Sequence, residues 1–172
     1  MKWINEIVAG MNEIFEGLNL YEIIDALEIE VIKLDKIDMI LLGQEALYVR
    51  SFSGKEIIYI RDDLGPMERY VLAHELGHAI LHPDLAEAYY SPLQNKGKLE
   101  RQADYFAIKI LDLDIDPLGY EGFSQEQLAK ALCVKEEALE YIYQTNDGET
   151  AGTRRVAYGV QNNTHRKIQI RS

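Results

Sequence analysis

The sequence predicts an α+β fold, mostly helical with one small β-sheet. Two observations carry this. Apolar residues recur at helical spacing in several separate segments, and three short β-branched runs lie together between residues 29 and 60. At 172 residues the chain is long enough to bury a real core in one domain. We expect that domain to span 1–144, followed by a polar, basic tail over 145–172.

Trp3, Ile7, Met11, Ile14 and Phe15 mark a helix over 2–16, and Asn19 is suited to cap a second over 20–27. The strands are expected at Ile29 to Leu34, Ala46 to Phe52 and Glu56 to Ile60, with Ser53-Gly54 as a hairpin turn. Asp62-Asp63-Leu64-Gly65-Pro66 announces a helix over 66–82, with Pro66 in its first turn. Further helices are expected over 98–112, 124–131 and 135–143.

Composition narrows the function. A formal charge of −11 argues against a general binder of nucleic acid or anionic membrane, and suits a basic partner. Cys133 is the single cysteine, so no internal disulfide forms and a reducing, cytoplasmic setting is expected. No apolar run approaches the ~18–20 residues of a membrane span.

The helix over 66–82 carries polar residues that its surroundings do not favour. Met67, Tyr70, Val71, Leu72, Ala73, Leu76, Ala79, Ile80 and Leu81 cover nearly its whole circumference, which marks a buried helix. Imidazole and carboxylate groups buried there cost several kcal/mol unless paired or ligated. His74 and His78 project from one face, about 6 Å apart along the axis. Glu75 falls beside whatever they hold. Two neutral imidazoles with an adjacent acid are what a catalytic zinc and its general base require.

The bare motif arises by chance, so a third ligand must be found. On the helix over 98–112, Leu99, Ala103, Phe106, Ala107, Ile110 and Leu111 form an apolar arc, and Glu100 lies inside it. Tyr105 falls on the opposite, polar side. Glu100 is therefore the expected third ligand, ahead of Asp84 and Glu87. Asp104, one turn on, is placed to accept the other N–H of a liganding histidine. Ala103 and Ala107 would let the two helices approach closely. His82 lies roughly 12 Å from His74 along a straight helix, too far to share one zinc with it and His78, and is expected at the rim or in a structural role.

With His-Glu-Leu-Gly-His-Ala-Ile-Leu-His at 74–82 and Glu-Arg-Gln-Ala-Asp-Tyr-Phe-Ala at 100–107, the chain resembles the ImmA/IrrE family of zinc metallopeptidases. The resemblance implies one zinc ion held by His74, His78 and Glu100, with Glu75 as catalytic acid/base. It also implies a gluzincin-like core with a short twisted sheet beside the zinc helix. The compact size matches the phage and mobile-element type, which cleaves a helix-turn-helix repressor. The expected substrate is thus a basic repressor, cut by a water whose pKa falls toward ~7. Tyr89, Tyr90 and His165 are candidate donors to the oxyanion.

Residues 123–143 look like a helix-turn-helix pair. Their second helix reads Lys135-Glu136-Glu137-Ala138-Leu139-Glu140, which would repel phosphate, so packing or substrate docking is expected rather than DNA binding. Two alternatives remain: a zinc-bound module that binds a repressor without cutting it, and a DNA-binding regulator using 123–143.

Overall fold

The computed structural model describes residues 1–51, 53–83, 96–113 and 120–141. The chain divides into two compact units, Met1–Leu111 and Asp112–Ser172. The architecture is mixed α+β.

In the first unit, α1 (Lys2–Ile14) buries Ile4, Val8 and Met11, an interval set by helical spacing. Helix α2 (Leu20–Ala26) starts at a reciprocal capping box. The Asn19 side chain accepts from the Glu22 amide, and the Asn19 amide donates to the Glu22 carboxylate. Strands β1 (Ile29–Leu34), β2 (Ala46–Arg50) and β3 (Glu56–Arg61) form one sheet in the order β1-β3-β2. The β1–β3 pair is parallel, with Ile29 opposite Glu56; the β2–β3 pair is antiparallel, with Ala46 opposite Ile60. Ile58 and Ile60 of the central strand are fully buried.

A hairpin joins β2 to β3. The Ser51 amide donates to the Lys55 carbonyl, and Gly54 takes φ +82°, a left-handed turn conformation that glycine adopts without strain. The antiparallel register turns the amides of Ala46, Tyr48 and Arg50 away from β3, along the outer side of β2. β2 ends at Arg50, two residues short of the expected limit, and Phe52 lies outside the described residues.

A 3₁₀ turn over Gly65–Met67, holding Pro66, leads into α3 (Glu68–Leu81). Ten consecutive residues of α3, from Tyr70 to Ala79, are buried. Helix α4 (Lys96–Ile110) packs along it, starting and ending two residues earlier than the periodicity predicts. Gly77 is what lets α4 come so close. A Cβ there would meet Phe106 Cδ1 at 3.1 Å and Ala103 Cα at 3.2 Å. The sheet meets α3 from another side through β2, and Arg50 Nη1 donates to the Pro83 carbonyl at 3.2 Å.

Tyr105 is not on a polar face: it is buried, and its hydroxyl donates to Asn5 Oδ1 of α1 at 2.7 Å. Its ring fills the α1–α4 contact while its tip stays hydrogen-bonded, the usual solution for a buried tyrosine.

The second unit contains α5 (Gln125–Leu132), capped by Ser124 and Gln127 in another capping box. Cys133 closes it in the left-handed conformation, and a 3₁₀ turn over Glu136–Ala138 follows. Among the unit's described residues, Leu128, Ala129, Val134, Ala138, Leu139 and Tyr141 are buried. The tail expected over 145–172 lies outside the described residues. Among the described residues, no helix is long and apolar enough to cross a membrane.

Candidate metal centre

Helix α3 presents His74 and His78 one turn apart, and α4 brings Glu100 across from them. His74 Nε2 lies 3.1 Å from His78 Nε2 and 3.3 Å from Glu100 Oε2; His78 Nε2 lies 3.8 Å from Glu100 Oε1. All three donor atoms fall within 4.8 Å of one another. A tetrahedral zinc with bonds near 2 Å keeps neighbouring donors roughly 3.3 Å apart. The three separations bracket that distance, so these residues fit such an ion.

The hydrogen bonds around the rings point the same way. His74 Nδ1 lies 2.7 Å from Asp104 Oδ1, which also accepts from the Tyr70 hydroxyl at 2.6 Å. His78 Nδ1 lies 3.1 Å from His82 Nδ1, and His82 Nε2 lies 3.0 Å from Gln102 Oε1. With His74 donating to a carboxylate through Nδ1, a neutral ring leaves its Nε2 as a bare lone pair facing His78. Two imidazole nitrogens 3.1 Å apart in a buried site need a proton or a metal ion between them.

The local electrostatics favour the proton. Burial disfavours a charged His74, but the Asp104 and Glu100 carboxylates, joined by Glu75, outweigh that and raise its pKa to about 9. Without metal, His74 therefore holds a proton at neutral pH. The adjoining His74 and His78 rings keep Glu100 ionised far below the usual carboxylate range, against the opposing effect of its burial. Burial pushes His82 below the usual imidazole range, so that ring is neutral, although the Gln102 hydrogen bond opposes the shift.

Glu75 occupies the neighbouring position on α3, with 8% of its surface exposed. Its Oε2 accepts the backbone N–H of Tyr48 at 2.8 Å, from the side of β2 turned away from β3. This bond leaves the other oxygen, Oε1, for a reacting group. Through it β2 steadies an acid that has no imidazole hydrogen-bond partner.

The structure thus gathers His74, Glu75, His78, Glu100 and Asp104 into one buried cluster, with Glu100 partly open to solvent. Tyr89, Tyr90 and His165 lie outside the described residues. His82 is not a rim residue. It is buried and bonded to His78. Sequence reasoning missed that bond, and with it two further contributors, Gln102, half-buried behind His82, and the Tyr48 amide on Glu75. A histidine one further turn along the same face was the available signal for the first of these. A backbone amide leaves none.

Comparison with known proteins shows the family. A family model described as the IrrE N-terminal-like domain, a peptidase family, matches residues 24–161. Metallopeptidase ImmA of Bacillus subtilis (strain 168) is 34% identical over 131 residues, an overlap of 72% of this chain and 73% of that protein.

Proposed function

The chain belongs to the ImmA/IrrE family of metallopeptidases, and on that premise we propose a zinc endopeptidase that cuts one particular protein, a basic helix-turn-helix repressor. In this reading His74, His78 and Glu100 hold a single zinc ion. The observation that carries it is the convergence of their donor atoms, at tetrahedral separations, directly beside Glu75.

Bound there, zinc would act as a Lewis acid toward water and the scissile carbonyl. The remaining chemistry belongs to the side chains. Glu75 takes the proton of the attacking water and delivers it to the departing amine as the peptide bond breaks. The Tyr48 amide keeps the Glu75 carboxylate turned toward the site while it does so. Asp104, backed by Tyr70, holds His74 with Nε2 toward the ion.

The substrate assignment rests on the family resemblance and on charge. A surface carrying −11 attracts a basic DNA-binding protein and speeds its encounter. A reducing compartment, the cytoplasm, suits both that partner and the single cysteine. The test is incubation of the purified protein with the repressor encoded beside it. Wild type should cut the repressor at a discrete bond, and Glu75→Gln should leave it whole while still binding zinc. An intact repressor with wild type would remove the substrate assignment, and equal cutting by Glu75→Gln would remove the general base.

A further inference from the structure

His82 is buried at the end of α3, where both of its ring nitrogens are engaged, yet no catalytic step uses it. Its hydrogen bonds have a definite polarity. Gln102 Oε1 is a carbonyl oxygen and only accepts, so the hydrogen between them, across 3.0 Å, belongs to His82 Nε2. A neutral imidazole carries one N–H. His82 Nδ1 is then a bare acceptor, and the hydrogen across the 3.1 Å contact with His78 Nδ1 must come from His78. That leaves His78 Nε2 bare, on the side facing His74 Nε2 and Glu100.

We propose that His82, itself oriented by Gln102, is a positioning residue that holds His78 in the Nδ1–H tautomer with Nε2 directed at the metal. This rests on the reading of His78 as a ligand. With its polarity reversed, the chain of bonds would put a hydrogen on His78 Nε2, in the place of the ion. Solvent cannot easily substitute, because His82 occupies a covered position and its volume excludes water from His78 Nδ1. The liganding histidine of a metal site usually donates its other N–H to a carboxylate, a backbone carbonyl or water. Here the acceptor is a second imidazole whose own tautomer is set one residue further out. The chain of three groups runs from α4 back to α3, so it also ties the end of one helix to the other.

Two measurements test the proposal. The first needs no substitution: nitrogen-resolved NMR of the histidine rings in the full-length, chelator-stripped wild type. His82 should be the Nε2–H tautomer; an Nδ1–H or doubly protonated His82 overturns the proposal. The second is competition for zinc against a chelating dye, with folding checked by circular dichroism. His82→Phe keeps a ring but offers no acceptor and should weaken zinc binding by about 10–100-fold. His82→Asn places an amide oxygen close to the lost Nδ1 and should stay within about threefold of wild type. A merely structural His82 would move neither value. Folded His82→Phe binding like wild type, or His82→Asn losing as much as His82→Phe, overturns the positioning role alone. Wild-type affinity in His78→Ala would instead bring down the ligand assignment beneath it. Should His82→Phe fail to fold, the tautomer measurement decides the matter.

Discussion

His74 and His78 stand one turn apart on the same helix, and their outer nitrogens meet different kinds of partner. His74 faces Asp104, a carboxylate that also accepts from Tyr70. His78 faces His82, a neutral ring backed by a neutral amide. Both arms fix a direction, but only the first brings charge. Asp104 adds a formal negative charge to a site that already contains Glu100 and Glu75, whereas the second arm adds none. On the reading of both histidines as ligands, ring orientation and electrostatic attraction become separable tasks in this metallopeptidase.

Neutralising the charged arm is the sharpest way to test the contrast. Asp104→Asn keeps the shape and an accepting oxygen, yet should weaken zinc binding about tenfold or more, read by chelator competition. The matching exchange in the neutral arm, His82→Asn, should cost far less. Equal losses in the two arms would erase the distinction.

A graded effect comes from pH. The His74 pKa is raised from 6.5 to about 9 in the metal-free fold, by carboxylates that outweigh its burial. A raised pKa contributes stability that is fully present below 6.5 and is lost as pH climbs through about 9. Zinc must displace that proton, so apparent affinity should rise with pH, by about tenfold per unit, and level off above pH 9. Calorimetric titration in buffers of different ionisation enthalpy would count the proton released. In Asp104→Asn the plateau should begin at lower pH. A flat profile in wild type would mean that His74 does not carry the proton.

The helices and strands were legible because their side chains repeat. Tyr70 to Ala79 are buried without interruption on a helix that is apolar all round, and Ile58 and Ile60 fill the central strand. Element ends were less so. β2 stops where Arg50 turns to the Pro83 carbonyl and to Glu56, and α4 gives way to Asp112 in a left-handed conformation. Neither contact has a local signature.

At the site, Glu100 betrayed itself as a carboxylate within an apolar arc, and it does lie across from His74 and His78. Distance argues against His82 and His74 as joint ligands, but it says nothing about a bond from His82 to His78 itself. Gln102 reads in sequence like any surface amide. Ala103 signals close helix packing, while Gly77, the residue a Cβ would jam against Phe106 and Ala103, looks like a gap in the apolar pattern. The Tyr48 amide on Glu75 is a backbone donor, and register rather than residue type places it there.

The most direct test of the centre is the zinc content of full-length protein after chelation, zinc repletion and desalting. Wild type and Glu75→Gln should each retain one ion per chain, and Glu100→Ala should retain almost none while keeping its helical spectrum. Folded Glu100→Ala that holds zinc as tightly as wild type would contradict the three-residue site.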